Sequence, residues 1–249
     1  MTHKIGALVF LLGISCTLLA QTETPARKVS RRPDIPGAFA MELGFNFDLS
    51  APNEFSLGFW GSRTFNLYYQ YEMRILKSSF SFVPGIGLSL ERFKFTNDYT
   101  MGYDPNDLES IVMIPPAESG LAGIRKSQLI TNYIDVPVEI RYSANPDDPA
   151  RSFKIAVGGR VGYLYDSFTK IKYKENGDLK KLKSKEDFNL NKFRYGLTAR
   201  IGVGNFSVFG YYNLTPLFEE GKGVSDISDA SSVKNDFSTI TIGISLASF

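Results

Sequence analysis

Apolar and polar side chains alternate along most of the chain after residue 37, and this period of two constrains the fold more than any other feature. Between Phe39 and Leu49 every second residue is apolar, and the residues between them are small or polar. Only an extended strand sorts such a series onto two faces. The sequence therefore predicts an all-β chain, because the pattern recurs near residues 39–49, 65–73, 80–90, 130–140, 153–163, 193–203, 206–214 and 240–246.

The connections between these eight segments alternate in length. Bacterial barrels combine an even number of strands, each roughly 9–11 residues long, with short periplasmic turns and long outer loops. We therefore expect an eight-stranded antiparallel up-and-down transmembrane β-barrel over residues 38–249, with both termini periplasmic. Pro84 and Pro137 each remove a ladder donor inside a strand, which predicts local bulges. The long connections lie near 51–62, 96–127, 173–191 and 216–236, and the short ones near 74–78, 143–152 and 204–205.

The first twenty residues are typical of a secretory signal peptide. Lys4 precedes an apolar run over residues 5–20, and Ala20 offers a small residue at the cleavage site. An uncleaved anchor is the alternative, although the run is short for a spanning helix, which needs roughly 20 residues. Residues 21–37 are polar and hold three prolines. We expect them to form a flexible periplasmic linker, with a docking strip for an acidic partner as the alternative.

Cleavage after Ala20 removes the residues on which much enzyme chemistry depends. The only histidine, His3, and the only cysteine, Cys16, both lie in the predicted signal peptide. A mature chain without them cannot form a disulfide, a Cys/His zinc site or a histidine-dependent triad. The formal net charge of +2 also argues against nucleic-acid binding. We expect a protein that is not an enzyme and that has no cofactor.

Alternation alone fits a membrane barrel and also a water-soluble lipocalin-like barrel, whose apolar face points inward. Short matches to lipocalins occur at Gly58-Phe59-Trp60 and Asp98-Tyr99. Small residues, however, suit a narrow and crowded lumen better than a free surface. The apolar face is therefore expected to point toward lipid, since glycines recur on the polar face at Gly85, Gly87, Gly158, Gly162, Gly202 and Gly204.

Charged residues of both signs share the polar face with these glycines. Buried charges must be paired, and a lumen filled by such pairs is closed. A terminal aromatic strand is also the signal by which barrels are recognised for insertion, and the chain ends at Phe249, one residue out of phase with residues 240–246. The expected lumen charge network comprises Glu42, Glu72, Glu91, Asp135 and Glu139 with Arg141, Lys154, Arg160, Arg194 and Arg200.

Two of the long connections have the composition of interaction surfaces. The 96–127 connection holds the apolar run Ile111-Val112-Met113-Ile114-Pro115-Pro116, which fits either folding over the barrel mouth or contact with a partner. The 173–191 connection is lysine-rich, which fits a solvated loop and also charge-assisted contact with lipid A phosphates or a surface protein. Its candidate contact residues are Lys174, Lys180, Lys181, Lys183 and Lys185.

Several segments resemble the PorT-like outer-membrane barrels of the Bacteroidetes. Tyr133-Ile134-Asp135-Val136-Pro137-Val138 is similar to that family's Tyr-hydrophobic-acidic-hydrophobic-Pro segment, and the seven residues from Gly158 to Leu164 to its next strand. Residues 193–204 and 211–215 resemble its closing hairpin, and the Leu-Ala-Gln signal end is typical of the phylum. The resemblance covers roughly residues 38–249. It implies an outer-membrane barrel linked to type IX secretion and gliding, and it carries no set of catalytic residues.

Three functions remain open on the sequence. The leading hypothesis is a non-enzymatic outer-membrane scaffold or interaction protein that serves a secretion or envelope complex. The second is a passive small-solute channel, and the third is a soluble lipid-binding barrel. The expected partners are outer-membrane lipid including lipopolysaccharide, the barrel-assembly machinery during insertion, and a protein of a secretion or envelope complex.

Overall fold

Eight long strands form where the sequence alternates between apolar and polar side chains. The structure is a computed structural model that describes residues 37–104, 107–148, 150–226, 229–233 and 237–247. Because the period of two matches the pleat of a strand, each segment presents one polar and one apolar face. The strands are β1 (Ala38–Leu49), β2 (Arg63–Gln70), β3 (Phe80–Lys94), β4 (Ile124–Ser143), β5 (Phe153–Glu175), β6 (Phe193–Val203), β7 (Phe206–Asn213) and β8 (Ser238–Ala247).

The eight strands close into an antiparallel ring in which each strand pairs with its neighbours in sequence. The closing pair joins β8 to β1, with Gly243 opposite Gly44 and Ala247 opposite Ala40. Closure leaves the ring without an unpaired edge, which a membrane-spanning sheet requires. The fold is therefore the predicted eight-stranded up-and-down barrel. Within the described residues, no helix combines the length and apolar character needed to cross a membrane.

The two ends of the barrel differ in the length of their connections. The short-turn end carries residues 71–79, 144–152 and 204–205, whereas the loop end carries residues 50–62, 95–123, 176–192 and 214–237. The loop-end segments hold a short 3-10 helix at Asn53–Phe55 and further strands of their own. Beyond the eight barrel strands, the short strands are Met73–Arg74, Thr100–Asp104, Asp107–Ile114, Asp178–Ser184, Val224–Asp226 and Asp229–Val233.

The barrel wall turns its apolar face outward. Val157 is 57% exposed on the outer wall, whereas Glu42 and Asp135 on the polar face are fully buried. A soluble barrel would have the reverse arrangement, since water and not lipid would cover its outer wall. The apolar belt includes Phe39, Leu43, Leu67, Ile86, Leu88, Ile134, Val136, Val161, Leu197 and Ile244, all exposed.

The predicted bulges at Pro84 and Pro137 are wrong. Pro84 faces Val138, and the pairing resumes at Gly87 opposite Asp135 with no change of register. Across the other edge of β4, Pro137 faces Arg160 within a continuous ladder. Each proline therefore removes one donor but needs no extra residue.

A bulge does occur further along β4 and β5. Asn132 pairs with Asp166 and Tyr133 with Leu164, so that Tyr165 is an extra residue in β5. An extra residue reverses the faces that follow it. Leu164 is inward and buried before the bulge, and Thr169 is inward and buried after it.

The lysine-rich segment is not the plain loop that its composition suggested. The outer part of β5 continues to Glu175 and pairs with Asp178–Ser184 in a tight hairpin, with Lys170 opposite Lys183. Asp178–Ser184 ends one side of the larger sheet. Lysines suit such an edge strand because their charge deters pairing with other chains.

Candidate functional site

A continuous chain of ion pairs fills the lumen, beginning at the short-turn end. Arg141 Nη1 lies 2.8 Å from Glu72 Oε2, and Arg141 Nη2 lies 3.6 Å from Glu139 Oε2. Arg200 Nη2 then bridges Glu139 Oε1 at 2.9 Å and Glu42 Oε1 at 2.7 Å. All but Glu72 are buried. The alternation places these side chains inward on strands that the ring brings face to face.

The chain of ion pairs continues to the loop end of the lumen. Arg160 Nη2 lies 3.1 Å from Glu42 Oε2, and Arg160 Nη1 lies 3.9 Å from Asp135 Oδ2. Arg194 Nη2 lies 2.9 Å from Asp135 Oδ2, and Arg194 Nη1 lies 2.6 Å from Glu91 Oε1. Asp135 therefore lies between two guanidinium groups. The network couples strands on opposite sides of the ring.

Neutral side chains complete the hydrogen bonding of the two most buried carboxylates. The Tyr68 hydroxyl donates to Asp135 Oδ2 at 2.9 Å, and Asn66 Nδ2 donates to Glu42 Oε2 at 2.7 Å. Buried charges are tolerated when such bonds supplement the ion pairs. The five carboxylates of this ion-pair chain are fixed in position, since each of them lies beside an arginine.

Aromatic rings cover the arginines from the sides that the carboxylates leave free. The Arg160 guanidinium lies 4.9 Å from the Tyr68 ring centroid and 4.4 Å from that of Tyr211. The Arg194 guanidinium lies 3.7 Å from the Tyr133 centroid. Such cation–π contacts stabilise cations that have lost their water.

Glycines make room for these bulky groups in the narrow lumen. A Cβ at Gly162 would lie 2.3 Å from Asp135 Oδ1 and 2.9 Å from Arg194 Nε. A Cβ at Gly196 would lie 2.7 Å from the Tyr211 ring. Any side chain at Gly162 would therefore displace the Asp135–Arg194 pair.

An apolar cap covers the lumen at the loop end. The Phe55 ring lies 5.1 Å from Phe95, 4.9 Å from Phe237 and 6.1 Å from Phe218, measured between centroids. The inward residues Phe93, Leu129 and Tyr133 of the barrel wall continue this cluster downward to the ion pairs. We call the following residues the loop cap: Phe55, Phe95, Met101, Ile111, Met113, Phe188, Leu190, Leu217, Phe218, Val224 and Phe237.

The loop cap resolves the alternatives left open for the apolar run from Ile111 to Pro116. Ile111 and Met113 are fully buried. Their strand, Asp107–Ile114, pairs with Thr100–Asp104 and with Val224–Asp226 in a small sheet. The run therefore folds over the barrel mouth.

Comparison with known protein families matches residues 20–219 to the family described as outer membrane protein beta-barrel domain. This match covers most of the chain and agrees with the closed ring and its outward apolar belt. The chain belongs to the outer membrane protein beta-barrel domain family. Membership places this outer-membrane barrel in the cell outer membrane.

No curated protein matches this outer-membrane barrel. Among solved structures, it aligns with Ail, the attachment invasion locus protein of Yersinia pestis, in complex with the heparin analogue sucrose octasulfate. The alignment has 14% sequence identity and a TM-score of 0.32, and it covers 86% of this chain and 100% of that chain.

The outer-membrane barrel brings nearly all of the sequence-predicted lumen charges into the chain of ion pairs. Lys154 is buried beside them, next to Arg141 and Arg200, where the three line a small cavity of about 20 Å³ near the short-turn end. Glu72 lies at the lumen entrance with its side chain 32% exposed. Within the described residues, no three His, Cys, Asp or Glu side chains group closely enough to hold a metal ion.

Tyr68 and Tyr211 are site residues that the sequence interpretation did not select. Both lie at inward positions of the alternation and are buried. Residue type gives no indication that these tyrosines line the lumen, because tyrosine is common on either face of a strand. Only their position in the alternation places them on the polar face. Their contact with Arg160 became evident only from the closed ring.

The five candidate contact lysines of the outer-membrane barrel do not form one surface. Lys185 Nζ lies 2.7 Å from Asp166 Oδ1, and Lys180 bonds to Glu175, which raises the pKa of the Lys180 ammonium. Lys183 Nζ lies 3.6 Å from the centroid of the Phe168 ring. By strand register, Lys181 and Lys183 share one face of the hairpin with Lys174, and Lys180 points to the other face.

Three predictions made from the sequence lie wholly or almost wholly outside the described residues. Phe249, the expected insertion signal, follows the last described residue. The predicted signal peptide over residues 1–20 and almost all of the predicted linker over residues 21–37 precede the first one.

Proposed function

We propose that this outer-membrane barrel is a sealed, non-enzymatic scaffold or interaction protein. The observation that carries the proposal is the filling of the lumen, since ion pairs run from Glu72 at the short-turn end to Glu91 beneath the loop cap. The carboxylates are held by arginines, so that none of them is placed as a free acid or base. A barrel filled in this way offers its outer surfaces to partners.

A second part of the proposal concerns orientation. Bacterial outer-membrane barrels have short periplasmic turns and long outer loops. The loop end, with the loop cap and the Asp178–Ser184 hairpin, therefore faces the cell exterior, and both ends of the barrel sequence face the periplasm. The predicted signal cleavage removes Cys16, the only cysteine. A Ser119→Cys variant would therefore carry a single reactive thiol in its mature chain, and it tests the orientation of the loop end directly. Reaction of intact cells with a membrane-impermeant maleimide is expected, and labelling only after the outer membrane is opened would overturn the orientation.

The partner that we propose is a protein of a secretion or envelope complex. Support comes from the resemblance of residues 133–138 and 158–164 to PorT-like barrels, which extends the proposal toward type IX secretion. The hairpin offers a contact surface on each face, because Leu179 and Leu182 lie on opposite faces and are 54% and 44% exposed beside its lysines. Crosslinking of native membranes should capture one stoichiometric partner, and a Leu179→Ser/Leu182→Ser variant should lose it. If the variant still captures the same partner protein, the hairpin is not the surface that contacts the partner.

Single-channel recording distinguishes the sealed scaffold from a passive channel. The refolded barrel in a planar bilayer should show no stable openings under voltage. The matched control is Arg160→Ala/Arg194→Ala, which removes the two guanidinium groups that fill the lumen between Glu42 and Glu91. Stable openings of the unmodified protein would contradict the sealed lumen and favour a small-solute channel.

A further inference from the structure

Six cationic side chains lie together on the outer wall of the barrel, between the apolar belt and the loop end. Strand register places Arg63 opposite Arg92, and Lys126 opposite Lys172. The positive charges of Lys172, Lys94, Arg92 and Arg63 all act on Lys126. We call this set the cationic patch: Arg63 of β2, Arg92 and Lys94 of β3, Lys126 of β4, and Lys170 and Lys172 of β5.

The bulge at Tyr165 is what brings β5 into the cationic patch. Even-numbered residues of β5, such as Arg160, point into the lumen before the bulge, and odd-numbered residues, such as Thr169 and Ile171, are buried after it. Lys170 and Lys172 consequently point to the outer wall. Without the extra residue, both lysines would project into the apolar loop cap, where a charge is costly.

The cationic patch lacks the acidic partners that other lysines of the loop end have. Among the described residues, none of its six members forms an ion pair with a carboxylate, whereas Lys180, Lys185, Lys192 and Lys222 each do. Asp166, which lies on β5 before the two patch lysines, is held by Lys185 at 2.7 Å. Six like charges on one wall repel one another, so that an anion from outside the chain would bind there favourably.

Two adjoining grooves give the cationic patch the shape of a site for a lipid. The first has a volume of about 430 Å³ and is lined by Arg92, Lys126, Lys170 and Lys172 around Ile130 and Phe168. The second, of about 620 Å³, is mainly apolar and is lined by Leu43, Phe45, Phe65 and Ile244. Leu90 and Arg92 line both grooves. An anionic head group in the first groove could therefore continue into apolar chains in the second.

We propose that the cationic patch binds the phosphorylated glycolipid of the outer leaflet, lipid A, with its phosphates at the lysines and arginines and an acyl chain in the apolar groove. The patch extends across four strands, about 14 Å at roughly 4.8 Å per strand spacing, so that more than one phosphate can be engaged. The choice of lipid A over a glycerophospholipid rests on the proposed orientation, which places the loop end in the outer leaflet.

Binding by variants with matched charge loss tests the proposal. The patch variant is Lys126→Gln/Lys170→Gln/Lys172→Gln, and the control is Lys180→Gln/Lys192→Gln/Lys222→Gln, whose lysines are paired with carboxylates. The full chain is refolded in a neutral detergent, and binding of diphosphorylated lipid A, phosphatase-treated lipid A and phosphatidylglycerol is measured by native mass spectrometry. Removing three charge-assisted contacts should weaken binding of diphosphorylated lipid A about tenfold or more, with little change in the control.

The outcomes separate the parts of the proposal. Equal binding by patch variant and control would overturn the cationic patch as the site, as would equal binding of phosphatase-treated lipid A. Phosphatidylglycerol binding as strong as that of lipid A would overturn the choice of glycolipid. Labelling of Ser119→Cys from the periplasmic side would instead overturn the orientation, and it would leave the detergent binding result unchanged. A heat-dependent shift on a gel, retained in both variants, shows that each is folded.

Discussion

Asp135 has three partners in the lumen and lies at the centre of the ion-pair chain. Its carboxylate accepts hydrogen bonds from Arg194 and from the Tyr68 hydroxyl, and it lies 3.9 Å from Arg160. Removing one partner of a buried pair leaves the other charge uncompensated in a poorly solvated site. When one partner of an exposed ion pair is removed, water solvates the charge that remains. Two ion pairs with the same N–O distance can therefore contribute different amounts to the unfolding free energy.

The comparison of Asp135→Asn with Asp147→Asn isolates the effect of burial. Asp135 lies 2.9 Å from Arg194 in the lumen, and Asp147 lies 2.8 Å from Arg74 at the short-turn end with its side chain 82% exposed. We expect Asp135→Asn to cost about 3–5 kcal/mol of unfolding free energy. Asp147→Asn should cost less than about 1 kcal/mol.

Urea unfolding in lipid vesicles measures both variants. The reporter is the fluorescence of Trp60, the only tryptophan, which is exposed beside Phe59 and Phe45 on the outer wall. Equal losses of unfolding free energy in the two variants would show that a buried pair of the lumen network stabilises the barrel no more than an exposed surface pair does.

At the scale of elements, the seam between β8 and β1 decides whether the ring closes. Gly243 and Gly44 face each other there, both on the lumen side. A Cβ at Gly243 would lie 2.0 Å from the backbone oxygen of Leu43, and a Cβ at Gly44 would lie 3.2 Å from the Phe209 ring. The seam therefore favours glycine at position 243, because a Cβ there would push against a backbone atom, which cannot rotate away as a side chain can.

The substitutions Gly243→Ala and Gly210→Ala test this requirement in adjacent strands. Gly210 of β7 pairs with Ile242, and a Cβ there would meet nothing within 4 Å. Gly243→Ala should lower the yield of heat-modifiable, refolded barrel and destabilise it by about 1–3 kcal/mol, as overpacking does. Gly210→Ala should refold like the parent. Normal refolding of Gly243→Ala would mean that the seam can widen without loss.

Among the elements, the strands themselves were predictable and their irregularities were not. Prolines were expected to force bulges, yet Pro84 and Pro137 lie in continuous ladders, and the register of β4 against β5 shifts instead at Tyr165 and again between Ile124 and Lys126. A bulge depends on how two strands align across the sheet, which local composition does not record. The Asp178–Ser184 strand was missed for a similar reason, since its lysines suggested a solvated loop until pairing with β5 was seen.

At the scale of the whole molecule, the barrel has the opposite arrangement to a soluble protein, whose apolar residues lie inside. Charges and tyrosines occupy the axis, and the apolar belt covers the outer wall. Outside lipid this arrangement would expose large apolar residues such as Leu197 and Ile86, both 56% exposed. The loop cap forms the principal apolar core and lies beyond the membrane-spanning part of the barrel, where long loops can bury apolar groups from water.

A charge on the outer wall tests the membrane position of the belt. Val157 lies near the middle of the outward apolar run of β5, which extends from Phe153 to Tyr165. Val157→Arg should destabilise the inserted barrel by about 2–4 kcal/mol, as expected for a cation near the bilayer midplane. Val157→Leu, which keeps the apolar surface, should leave unfolding nearly unchanged. An Arg variant as stable as the parent in vesicles would place Val157 outside the hydrocarbon.

The sequence predicted which residues line the lumen, but it did not predict which of them contact one another. The alternation identified Glu42, Asp135, Arg160 and Arg194 as inward residues, because one strand face is a local property. It could not assign Arg160 to Glu42, since these residues are 118 positions apart and meet only across the closed ring.

What the sequence alone determined was the period of two, and with it the strands, their number and the composition of their two faces. These follow from local sterics, because successive side chains of any strand point to opposite sides. The tertiary structure decided the ion-pair partners, the bulge, the burial of the loop cap and the assembly of the cationic patch from four strands. Those features depend on register and ring closure, which join residues that are far apart in the chain.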